Sequence, residues 1–100
     1  MVVVKDPEGR ETAALKAMVD FKDQSVLEIG CGDGRLTRLY AVDAARVVAI
    51  DPDGERIESA RANMPETLRG RVYFTKSSLA EYAGTCDDRK FDIALFSWSL

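Results

Sequence analysis

Glu28, Asp51 and the alternating glycines Gly30, Gly32 and Gly34 are the residues of this chain whose types and spacing suit chemistry. Alternate glycines let a backbone turn sharply and leave no Cβ between it and a bound molecule. Glu28 interrupts an apolar run, Val26-Leu27 before it and Ile29 after it, close to the carboxyl end of what reads as a buried strand. Open α/β sheets place their ligands at that end. The amides that open the following helix are expected to face the ligand. The stretch from Ser25 to Gly34 therefore reads as a cradle for a small molecule.

Histidine is absent, so no Ser-His, Cys-His or His-metal site can be assembled from this chain alone. The two cysteines, Cys31 and Cys86, are too far apart in sequence for a metal or redox pair. No metal site is expected. Chemistry must rest on carboxylates, hydroxyls, backbone groups and a bound cofactor.

These residues need elements to hold them. A helical period over residues 6–20 (Ala14, Leu15, Met18, Val19) precedes the first strand. A second helix starts at Arg35, with Leu36, Leu39 and Tyr40 expected on one face and Asp33 as its N-cap. A second strand runs from Arg46 to Asp51, and Pro52-Asp53-Gly54 opens a helix carrying Ile57, Ala60 and Met64. A third strand spans 71–76, Leu79 to Tyr82 suits a single helical turn, and Phe91 to Phe96 forms a fourth strand. Strands alternating with helices predict an α/β fold, a Rossmann-like parallel sheet with flanking helices.

One hundred residues allow one domain at most, and 46% hydrophobic with 31% charged residues is an ordinary globular composition. A net charge of −3 offers nothing to a nucleic-acid backbone or an anionic membrane. The opening Met1-Val2-Val3-Val4 is too short for a signal peptide, and no apolar run reaches spanning length. A cytoplasmic protein is expected. A nicotinamide-dependent oxidoreductase fragment is the first rival. Dinucleotide binders carry a glycine or alanine three positions after the second glycine, and here that position is Arg35. Glu28 would also repel a pyrophosphate, whereas it suits the ammonium of an amino-acid tail. A Walker loop fails because no Gly-Lys-Ser/Thr follows. A non-catalytic binding or interaction module is the second rival.

Glu28-Ile29-Gly30-Cys31-Gly32-Asp33-Gly34 resembles the first motif of class I S-adenosylmethionine-dependent methyltransferases, and Asp51 matches that family's acidic residue at the end of the second strand. The resemblance covers residues 10–100 and four of the family's seven strands. It implies a strand order 3-2-1-4, S-adenosylmethionine as cofactor, and residues 1–100 as the amino-terminal, cofactor-binding half of the domain. The implied cofactor contacts are Glu28, Gly30, Cys31 and Gly32 at the methionine end, and Asp51 on the ribose. Pro52, Ser78 and Leu79 would lie at the adenine, and Ser97 near the reacting methyl. Ser78 stands where the family commonly has an aspartate, and the match can slip to Ser77. The segment 97–100 lacks the Asp/Asn-Pro-Pro-aromatic run of nucleic-acid amino-methyltransferases, which points to a small-molecule acceptor; no catalytic residue is assigned.

Some roles have a plainer competitor. Asp51 could simply cap the helix after it, unless Asp53 does so. Cys31 suits the turn by its small size. With nothing after Leu100, the fourth strand is expected to be an apolar sheet edge, inviting self-association.

Overall fold

The structure, a computed structural model, describes residues 2–5, 20–84 and 91–96, with side chains from Asp20 onward. The helix expected over 6–20 lies almost wholly outside these residues, as do Ser97 and Trp98. Five parallel strands form one sheet: β1 (Val2–Lys5), β2 (Ser25–Ile29), β3 (Arg46–Asp51), β4 (Val72–Lys76) and β5 (Ile93–Phe96). Their spatial order is β1-β5-β2-β3-β4. The last four are the four expected strands in the expected order. The helices are α1 (Arg35–Ala41), α2 (Gly54–Asn63) and the single turn α3 (Leu79–Ala83), with a 3-10 turn at Glu66–Leu68.

The first strand was not foreseen, and it corrects an expectation. β1 pairs in parallel with β5, Val2 opposite Ile93 and Lys5 opposite Phe96. β5 therefore lies between β1 and β2 and is an inner strand, so self-association through it loses its basis. The outer strand at the other end is β4. Its outward Phe74 carbonyl accepts from Arg61 Nη2 at 2.9 Å, while Nη1 of the same guanidinium holds Glu58 at 3.0 Å. A cation placed along an edge in this way discourages pairing with another chain.

β3 is the centre of the core. Val47, Val48, Ala49 and Ile50 are all buried, each such valine or isoleucine contributing about 1.5–3 kcal/mol of transfer free energy. Alternation splits the core. Val26, Val47 and Ala49 face Leu36, Tyr40, Ile57 and Ala60 of α1 and α2, while Leu27, Val48 and Ile50 pack with Phe91 on the other face. Glu28 and Asp51 share the alternation of Val26 and of Ala49, so both stand on the α1/α2 side.

α1 departs from the expected stripe. Leu36, Thr37, Tyr40 and Ala41 are its buried residues, and Leu39 is 45% exposed. Its N-cap is Gly34 rather than Asp33, although the Asp33 carboxylate accepts the Arg35 N–H at 3.2 Å. The strands beginning at 71 and 91 start one and two residues later, at Val72 and Ile93. Asp92 remains at the opposite end of the sheet from the glycines, where it accepts the Ser25 N–H at 2.8 Å. Among the described residues no helix is long and apolar enough to cross a membrane.

Candidate cofactor site

The turn from β2 to α1 is built on left-handed backbone at each alternate glycine: φ is 81° at Gly30, 58° at Gly32 and 80° at Gly34. Other residues reach that region only with strain. The turn's amides point into the protein. Gly30 and Cys31 both donate to Ile50 O, at 2.8 and 3.1 Å, and Gly32 donates to Asp51 Oδ2 at 2.9 Å. These three amides dock the turn on the end of β3 and are not free to meet a ligand.

Asp51 is buried beside the turn and makes a second backbone contact, accepting the Asp53 N–H on Oδ1 at 2.9 Å. It does not cap α2. Asp53 does, accepting from Glu55 N at 3.0 Å and Arg56 N at 3.3 Å. Each Asp51 oxygen has two acceptor sites, so two remain for the hydroxyls of a diol. Pro52 is exposed next to it.

Glu28 is enclosed behind the turn with no exposed surface. Its Oε1 accepts from Thr37 Oγ1 at 2.5 Å and Tyr40 Oη at 2.6 Å. Thr37 and Tyr40 escaped sequence reasoning as site residues. They are three apart on α1, hence neighbours on the helix face that meets β2, and that spacing was the available signal. Tyr40 also stacks on Phe21, centroids 4.6 Å apart. Burial, then the charge of Glu28, pushes the Tyr40 phenol well above its ordinary range, so it remains a donor. Cys31 is buried, and its thiol is raised far above the usual value by burial first and then by the charges of Glu28 and Asp51. It is packing, not a nucleophile.

At the end of β4, Ser77 N–H donates to Asp51 O at 3.0 Å, and the buried Ser77 hydroxyl donates to Ser78 O at 2.8 Å. Ser78 caps α3 in a reciprocal box: its Oγ accepts from Glu81 N at 3.1 Å and its N–H donates to Glu81 Oε1 at 3.0 Å. Those bonds, with a smaller contribution from Lys76, lower the Glu81 pKa. Leu79 is exposed at the start of α3. Ser78→Ala is expected to lower stability by about 1 kcal/mol through loss of the cap, seen as a lower unfolding midpoint. An unchanged midpoint would remove the capping role.

Arg56 also escaped sequence reasoning. Its Nη1 lies 3.5 Å from where a Gly32 Cβ would stand, and its Nε is 3.6 Å from Asp53 Oδ2. Among the described residues, and leaving aside its own chain neighbours, no atom but that half-exposed guanidinium comes within 4 Å of that position. The turn, Asp51, Pro52 and the start of α3 thus come together along the carboxyl ends of β2, β3 and β4. Ser97 lies outside the described residues.

Comparison with known proteins agrees with this geometry. The family model described as "Methyltransferase domain" matches residues 26–100. A curated relative, magnesium-protoporphyrin O-methyltransferase of Rhodobacter capsulatus, is 34% identical over 80 residues, which is 76% of this chain and 36% of the relative. The chain therefore spans about a third of that relative's length. Among solved structures, the S-adenosylmethionine-dependent methyltransferase of Mesorhizobium loti aligns with a TM-score of 0.69 at 25% identity, over 86% of this chain and 38% of that one. Phosphoethanolamine N-methyltransferase 1 of Haemonchus contortus, solved with phosphoethanolamine and S-adenosylhomocysteine, aligns with a TM-score of 0.72 at 21% identity, over 90% and 18%. The chain belongs to the methyltransferase domain family, of the S-adenosylmethionine-dependent class I fold.

Proposed function

We propose that this chain binds S-adenosylmethionine at the glycine turn and forms the amino-terminal, cofactor-binding half of an enzyme that methylates a small molecule. The observation that carries this is the inward direction of the turn's amides together with the carboxylates around it. Gly30, Cys31 and Gly32 spend their N–H groups on Ile50 O and Asp51, while Glu28 lies beneath the turn and Asp51 beside it. A phosphate needs free amides and a positive field. A molecule with a sulfonium, an ammonium and a ribose diol needs the reverse.

When bound, the cofactor supplies an activated methyl group. The chain's own residues would hold and orient it, which is a large part of what such a transfer requires. Gly30, Cys31 and Gly32 give close backbone approach for the methionine end. Glu28 contributes its charge from below, and Asp51 accepts from the ribose. Pro52 and Leu79 flank the adenine, where Ser78 offers what its capping role leaves. Ser97 is assigned to the methyl end. A small-molecule acceptor is supported by the net charge of −3 and by the substrate named in the curated relative's own description, magnesium protoporphyrin. A cytoplasmic setting belongs to the same proposal.

Calorimetric titration of the chain with S-adenosylmethionine, S-adenosylhomocysteine and NAD tests it. Saturable binding of the first two, with NAD much weaker, is the expected result. Tighter binding of NAD would move the protein to the oxidoreductases, and binding of none would leave an interaction module.

A further inference from the structure

Glu28, Thr37 and Tyr40 have no exposed surface, and two hydroxyls converge on one carboxylate oxygen at 2.5 and 2.6 Å. Two hydroxyl donors on one oxygen favour the ionised form of the carboxylate, which takes them as charge-assisted bonds. Glu28 lies two residues before Gly30, and Thr37 lies three after Gly34. The pair of bonds therefore closes a ring whose other arc is the glycine turn, and both ends of the turn are fixed to one buried charge.

The charge matters as well as the brace. Cys31, within the turn, feels the carboxylates of Glu28, Asp51 and Asp33, all of which oppose its ionisation. The guanidinium of Arg56 approaches from outside, with Asp53 close by at 3.6 Å. A carboxylate fixed under the turn in a low-dielectric core favours a positive ligand above it more than it would in water.

Resting on the proposed cofactor site, we propose that Thr37 and Tyr40 are positioning residues that hold Glu28 as a fixed, ionised carboxylate beneath the turn. That charge biases the site toward the cationic cofactor over its neutral thioether product. Merely structural hydroxyls would affect both ligands alike, so the ratio of the two affinities separates the roles.

The experiment measures dissociation constants for S-adenosylmethionine and S-adenosylhomocysteine in the wild-type chain and in Tyr40→Phe, Thr37→Val and Glu28→Gln. Each variant keeps the side-chain volume nearly unchanged. In all three the cofactor should lose roughly three- to tenfold more affinity than the product, with Glu28→Gln the largest. Equal losses, or none, overturn this inference alone. Binding of neither ligand by the wild type overturns the proposed function and this inference with it. Should the variants fail to fold, the wild type decides, through its affinities for S-adenosylhomocysteine and for the aza analogue bearing a protonated nitrogen in place of sulfur. The cationic analogue should bind roughly threefold tighter or better, and equal or weaker binding overturns the inference.

Discussion

Asp51→Ala is expected to weaken S-adenosylmethionine binding roughly ten- to a hundredfold, the equivalent of charge-assisted hydrogen bonds worth about 1.5–3 kcal/mol. The same change leaves Gly32 N and Asp53 N without their acceptor, at the point where the turn meets β3. A modest fall in stability should therefore accompany the loss of affinity. Asp51→Asn should fare little better. Oδ1 and Oδ2 each accept a backbone N–H, and an asparagine must turn its NH2 toward one of them. Affinity unchanged in both variants would end the ribose assignment. A lowered midpoint alone would leave Asp51 as the pin of the turn.

Gly34→Val should cost about 2–5 kcal/mol of stability, combining the left-handed backbone with overpacking. Gly34 has φ 80°, and a Cβ there would lie 3.1 Å from Phe74 Cζ and 3.2 Å from Ala60 Cβ. This is where β4, α2 and the start of α1 close on one another, so no single neighbour can step aside without moving an element. Gly70→Ala is the control, since among the described residues nothing beyond its chain neighbours lies within 4 Å of its Cβ position. Urea unfolding of both variants checks the pair. A Gly34→Val midpoint equal to that of Gly70→Ala would show that the packing there yields more easily than described.

The residues that bracket the site were legible where the signal is local. Three alternating glycines permit a sharp turn, and Asp53 just before Gly54 offers an alternative cap that leaves Asp51 to other work. The capping box Ser78-x-x-Glu81 is equally local, and it competes with any role of Ser78 at an adenine. What local signal cannot carry is partnership across the sheet. Val2–Lys5 is apolar enough for a strand, but nothing in four residues says that they lie beside Ile93–Phe96. The inward role of Glu28 was hidden for a similar reason. A carboxylate at a strand end suggests a ligand until Thr37 and Tyr40 are seen across from it, and Thr37 displaces Leu39 from the buried stripe for that purpose.

The pairing of the first strand with the last bears on the order of assembly. Registered partners are 21 residues apart between β2 and β3 and 25 apart between β3 and β4, against 67 between β2 and β5 and 91 between β1 and β5. Closing the longest of these loops rather than the shortest costs ~1.3 kcal/mol more in chain entropy. The glycine turn, Asp51 and the brace on Glu28 lie instead within residues 25–76, the stretch whose ladders close over the shortest distances. By loop entropy the cofactor cradle thus belongs to the part of the chain that is cheapest to bring together, and the pairing of β1 with β5 to the part that costs most.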